Sequence, residues 1–233
     1  MGEQVPIIRV YSNDELTERY PQAVASGATI ICSGMADFNL AKGMTVTAAE
    51  KATVWACPNT RVYATDTTTV FAARDSWVHA ADVATIHASS NAQVWAQNSS
   101  FVEASGDSIV TAHHLASVHA ELRARVIANG HTSVRAKGEV RIDARQHATV
   151  TARGECTIRA YSETKVHAFD QCVVYAYGGC HVTSGNEVTV HARGLSTITA
   201  YKPSVVFTHN FDGQVSSPDG THIQRRAYRE VSA

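Results

Sequence analysis

The side chains best able to hold a metal or attack a substrate in this chain are twelve histidines and five cysteines. Their spacing supports two incompatible arrangements. His87, Glu103 and His119 stand sixteen residues apart, as do His131, His147 and Glu163. On a coil of that length each set would form a column, and a carboxylate between imidazoles suits a divalent ion. On a coil of twenty-four, His119, Asp143, His167 and His191 align instead. Because either count yields a ligand set, the histidines are read as outward residues at β-tolerant positions, and no metal or other cofactor is expected. The cysteines form no CxxC pair, and their odd number argues against a disulfide framework and for a reducing interior. Cys156, Cys172 and Cys180 fall where small inward residues recur, so each is expected to be buried and inert. No GxSxG, Walker or Rossmann string occurs, and nothing in the sequence fixes two carboxylates in a cleft.

Two other groups could recognise a partner. Trp55, Tyr63, Phe71, Trp77, Trp95 and Phe101 include every tryptophan of the chain. Clustered on an exposed sheet they would form an interface, and a homodimer is the simplest form of one. Further along, Lys137, Arg145, Arg153, Tyr161, Phe169, Tyr177, Arg193 and Tyr201 recur at one position of a repeat, with Gly185 interrupting. Such an arginine–aromatic ridge can stack on bases, sugars or a protein hot spot. Residues 121–165 carry nine Lys or Arg against five Asp or Glu. The whole chain has a net charge of −1 and only 18% charged residues, which argues against nucleic acid or an anionic membrane as a bulk partner.

The elements that must position these residues come from one repeat. From Ile30 to Val206 a position recurs every eight residues without insertion or deletion. It is filled 23 times: 17 Val, five Ile and Phe38. Two residues later stands Ala in 19 of the 23, and two residues earlier, in nearly every copy, a small or β-branched residue. The unit small-x-Val-x-Ala-x-x-x is a short strand with one buried face, followed by a turn rich in Gly, Asn and Asp. A helix would rotate about 80° per octad and could form no fixed apolar face. The pattern predicts an all-β parallel β-solenoid whose inward columns are ladders of small residues. A slip of one residue would turn the buried set outward, which is why no insertion is tolerated.

Two octads per coil give a flat, two-sheeted roll of sixteen residues; three give a triangular coil of twenty-four. The small inward side chains fill a thin two-sheet core but would leave a triangle hollow, so sixteen is preferred. Against it stand Gly106, Gly130, Gly154 and Gly178, which recur every twenty-four. The expected organisation is an N-terminal cap over 1–27, with a helix opening at Ser12 or Asn13, the octads over 28–208, and a C-terminal cap or docking tail over 209–233. No secretory signal and no membrane span is expected.

The octads, best seen in HATVTARGECTIRAYSETKVHA (147–168) and NEVTVHARGLSTITAY (186–201), resemble tandem A-T-V-x-A repeats of bacterial and phage proteins. The resemblance covers about three quarters of the chain. It implies a β-solenoid and a bacterial or viral source, and no activity; the repeat departs from the hexapeptides of acyltransferase solenoids, so no catalytic histidine transfers. The expected function is that of a non-enzymatic rod, cytoplasmic or part of a virion. It would bind a protein partner or a second copy of itself, as an inhibitor, adaptor or virion component. Glycan or ice binding is the alternative, ice through an outward Thr/Ser column. A polysaccharide-active enzyme with a site at a subunit boundary is the third reading.

Overall fold

The computed structural model of the chain describes residues 5–220 and 223–224. The protein is a parallel β-solenoid with one short helix. It divides into two compact units, residues 1–111 with 115–117 and residues 112–114 with 118–233.

In the first unit, sheet A runs in the order Ile7–Val10, Thr29–Cys32, Thr45–Ala48, Arg61–Ala64, Trp77–Ala80 and Gln93–Ala96. Sheet B runs Asp37–Asn39, Thr53–Ala56, Thr69–Ala72, Thr85–Ala88 and Phe101–Ala104. Successive octads alternate between the two sheets. The register therefore pairs residues sixteen apart: Thr53 with Thr69, Val54 with Val70 and Ala56 with Ala72. In the second unit, sheet C runs Arg125–Ala128, Arg141–Ala144, Thr157–Tyr161, Val173–Tyr177, Thr189–Gly194, Val205–Phe211 and Ile223–Gln224. Sheet D runs Ser133–Gly138, Thr149–Arg153, Lys165–Ala168, His181–Ser184, Thr197–Ala200 and Gln214–Ser216. The same sixteen-residue register holds there, as in Ile158 with Val174.

The coil of sixteen is thus the observed one, and its core is the inward set. From Val46 to Val206 every central Val or Ile is at most 3% exposed, and every following Ala at most 7%. The small residues before them, from Ala52 to Ser204, are buried as well. Strands of four residues with alternating burial need only these three rungs. Val and Ile suit the pleat, and Ala lets the opposing layer approach.

The turn supplies the second rule of the repeat. The second residue after the Ala takes a positive φ in octad after octad. In one column of the first unit these are Gly34, Glu50, Asp66, Asp82 and Asn98; in one column of the second, Gly130, Gln146, Ser162, Gly178 and Gly194. Gly, Asn and Asp are the residues that tolerate this left-handed region. The Gly106, Gly130, Gly154 and Gly178 spacing is explained here. Most octads use such a corner at this position, so glycines fall at multiples of eight, and twenty-four is one of them. The carboxylates do more than tolerate the conformation. Glu50 Oε2 accepts from the Gly34 N–H at 2.8 Å, and Asp66 Oδ2 from the Glu50 N–H at 2.9 Å. Each of these two carboxylates thereby satisfies the exposed amide one coil earlier.

The helix expected to open at Ser12 or Asn13 runs Asn13–Ser26, capped by the Ser12 hydroxyl at one end and by Gly27 in the left-handed conformation at the other. Asn13 Oδ1 accepts from the Asn39 N–H at 2.9 Å and Tyr20 Oη from the Thr45 N–H at 3.0 Å. The outermost strand of sheet B therefore does not present a bare backbone edge at Asn39. Among the described residues no helix is long and apolar enough to cross a membrane. At the other end, pairing continues past residue 208 with a change of count: Thr197 pairs with Gln214 and Val206 with Ile223, seventeen apart. A register shift between Arg193 and Gly194 absorbs the extra residue. The basic stretch beyond Gln224, within the expected docking tail, lies outside the described residues.

Candidate binding surfaces

With three of every eight side chains committed to the core, recognition falls to the two outward positions beside the central Val and to the corners. The sixteen-residue coil sorts the aromatic residues in a way that corrects the single cluster expected from sequence. Consecutive octads face opposite sheets, so the group divides. Trp55, Phe71 and Phe101 belong to sheet B; Tyr63, Trp77 and Trp95 belong to sheet A.

On sheet B, Trp55 and Phe71 are vertical neighbours with centroids 5.3 Å apart and planes 12° apart. The stack continues to His87 at 4.7 Å and 11°. His87 Nδ1 then meets Glu103 Oε2 at 2.7 Å. Phe101 stands in the neighbouring column, in register with Thr85 and half-buried. Trp55 and Phe71 are 38% and 37% exposed, although both are already stacked. On sheet A the rings meet edge to face: Tyr63 and Trp77 lie 5.5 Å apart at 69°, with His79 at 6.2 Å from Tyr63. Trp95 follows His79 in register and is 41% exposed. Tyr63 and Trp77 line a depression of about 560 Å³ together with the polar residues Asn59, Thr60, Arg61, Asp75 and Gln93.

The arginine–aromatic ridge divides for the same reason, between two corner columns of the second unit. After sheet C come Arg145, Tyr161, Tyr177 and Arg193. The Arg145 guanidinium lies 5.6 Å from the Tyr161 centroid, Tyr161 stacks on Tyr177 at 5.0 Å, and Tyr177 is in register with Arg193. After sheet D come Lys137, Arg153 and Phe169, with the Arg153 guanidinium 5.0 Å from the Phe169 ring. Tyr201, exposed, occupies the same octad position one coil beyond Gly185. A cation over a ring at these distances is attracted by the ring's quadrupole.

The histidines form pairs. His131 stacks on His147 at 4.8 Å, and His147 Nδ1 lies 3.1 Å from Glu163 Oε2. The set of four drawn on a twenty-four-residue coil is broken, since Asp143 and His191 lie on sheet C and His167 on sheet D. Among the described residues no three His, Cys, Asp or Glu converge as a metal site. His191 is sandwiched between Tyr175 at 5.0 Å and Phe207 at 5.1 Å. Its pKa is lowered from 6.5, chiefly by burial and then by His209 and Arg193. Cys32, Cys156, Cys172 and Cys180 are buried, and Cys57 is exposed. Burial pushes the Cys32 thiol up to about 12 and the Cys180 thiol up to about 11, the opposite of an activated thiolate.

Sequence reasoning recorded the excess of Lys and Arg in 121–165 but missed its grouping. Arg125, Arg141 and Arg159 gather around Asp143 on sheet C. The signal was present in the spacing: Arg125 and Arg141 are sixteen apart, and so are Asp143 and Arg159.

Compared with known proteins, the chain matches no family model, no curated protein and no solved structure.

Proposed function

We propose that this β-solenoid is a non-enzymatic binding protein that engages a protein partner, a second copy of itself included, through its outward aromatic side chains. The arginine–aromatic corners of the second unit would be a further contact. The Trp55–Phe71–His87 stack carries this reading. The ladder requires nothing of these positions, since Asn39 fills the same column one coil earlier. Rings pre-stacked on a rigid sheet lose little freedom on binding, which makes them efficient contact area. The tandem octads are in keeping with a bacterial or phage source and a cytoplasmic or virion setting.

Because Trp55 and Trp77 lie on different sheets, they can be tested separately. Light scattering and native-cell copurification of the wild type, Trp55→Ala and Trp77→Ala should show association that is lost on changing one tryptophan and kept on changing the other. A wild type that stays monomeric and brings down no partner would sink the reading.

The sheet A depression favours a second reading, a glycan subsite. A sugar could lie against Trp77 and Tyr63, within reach of Asn59, Arg61, Asp75 and Gln93. Binding on a glycan array that Trp77→Ala abolishes would support it. Ice binding has less support: Thr53, Thr69 and Thr85 do stack in register, but beside them stand Trp55, Phe71 and His87 in place of a second Thr column. A thermal-hysteresis assay giving zero would remove it.

A further inference from the structure

On sheet C, three successive strands present Arg125, Arg141 and Thr157 before the central Val or Ile, in register. After the central residue they present Ile127, Asp143 and Arg159. Asp143 is shared: Arg125 Nη2 lies 3.6 Å from its Oδ2, and Arg159 Nη1 lies 3.9 Å from its Oδ1. Arg141 stands on the strand of Asp143, directly in register with Arg125, and its guanidinium has no hydrogen-bond or ion-pair partner among the described residues.

Three guanidiniums against one carboxylate leave a net +2 (3 − 1) around a depression of about 410 Å³, with the Thr157 side chain on its wall. A sheet built only for stability would not do this. Like charges directly opposite on neighbouring strands, about 4.8 Å apart, destabilise the pairing. An alternating-sign column would relieve the repulsion, and here the sign does not alternate between Arg125 and Arg141. The missing counter-charge has room to enter from solvent.

We propose that this depression binds a tetrahedral dianionic oxyanion, either the terminal group of a phosphate monoester or a free inorganic phosphate or sulfate ion. Arginine's planar fork matches such oxygens two at a time, and a dianion matches the surplus charge. Asp143 acts as a positioning residue. Its two oxygens hold Arg125 and Arg159 in place before the ligand arrives, and its own charge limits how tightly the anion is held. Arg141 supplies the uncommitted guanidinium. The site belongs to the second unit, and it does not depend on the aromatic residues of the first unit having a protein partner.

The test is calorimetric titration of the full chain at constant ionic strength with inorganic phosphate, inorganic sulfate and chloride. Phosphate and sulfate should bind saturably, compete with each other, and leave chloride behind. Tighter phosphate assigns phosphate or its monoesters as the natural group; tighter sulfate assigns the free sulfate ion. Arg141→Gln should weaken both by about tenfold, the expected loss of one charge-assisted contact. Asp143→Asn should bind more tightly than wild type. Arg74→Gln, in the first unit, should change nothing. Circular dichroism checks that each variant is folded, and Arg141→Lys, which keeps the charge without the fork, should fall between wild type and Arg141→Gln. Titrations that do not saturate, an Arg141→Gln variant that binds as wild type does, or Arg74→Gln losing as much as Arg141→Gln would each overturn the assignment.

Discussion

Thr68→Val should stabilise the protein. Thr68 is a fully buried member of the inward small column of sheet B, and its Oγ1 has no hydrogen-bond partner. The register of Thr69 with Thr53 and Thr85 places it between Ala52 and Ala84. A buried hydroxyl without a partner costs about 1–3 kcal/mol in protein mutational data. Valine keeps the branched shape, exchanges the oxygen for a methyl, and meets only alanines above and below. A gain of about 1–2 kcal/mol follows, or a rise in melting temperature of roughly 2–4 °C per kcal/mol for a chain of this size. Thr164→Val supplies the contrast. Thr164 fills the same octad position in the second unit, but its Oγ1 donates to the Tyr161 carbonyl at 2.6 Å. Losing that bond should destabilise by about 1 kcal/mol. Paired urea and thermal melts, followed by far-ultraviolet circular dichroism and by calorimetry, read both variants. Two probes are needed because repeat arrays can depart from two-state behaviour. If Thr68→Val lowers the midpoint as Thr164→Val does, the Thr68 hydroxyl is satisfied in solution and the reasoning fails.

Two further outcomes are expected. Gly106→Ala should destabilise by more than the roughly 1–2 kcal/mol of a left-handed alanine, because at φ +66 its Cβ would meet the Ser90 backbone N at 2.9 Å; Gly27→Ala, at φ +68 with open space, should cost only the conformational part, and melting midpoints separate the two. Stability should fall on acidification through about pH 6.5. His191 is held below that value in the folded state, so the unfolded chain takes up more protons there, and the loss levels off once the folded histidine also titrates. His191→Phe, which preserves the stack between Tyr175 and Phe207, should flatten the profile; an unchanged slope would show that other groups set it.

The core was legible because it is periodic. Val54, Val62 and Val70 follow the beat, and burial at 0% for each leaves no alternative for the pattern. The sixteen-residue coil could be argued from side-chain volume, since alanine and valine fill a thin roll. What the linear string concealed was which residues share a surface. Trp55 and Tyr63 are eight residues apart and look like neighbours in a list, yet they stand on different sheets, while Trp55 and Phe71, sixteen apart, touch. The ridge from Arg145 to Tyr201 separated for the same reason. The corner rule was half visible: glycine advertises a left-handed turn, but Glu50 at φ 62 does not, because the hydrogen bond it makes to Gly34 exists only once the coils are stacked. The arginine group around Asp143 was hidden by treating 121–165 as a total of charges instead of a grid.

The alternation of octads between two sheets has a consequence for how such a gene can change. Duplicating eight codons would keep every inward side chain inward and every corner a corner. It would nonetheless carry all later outward residues to the opposite sheet, breaking pairs such as Trp55 with Phe71 wherever the copy fell between them. Duplicating sixteen would restore each residue to its side. Half-coil steps therefore rewrite the surface while leaving the interior untouched, and whole-coil steps lengthen the molecule while preserving what each side displays.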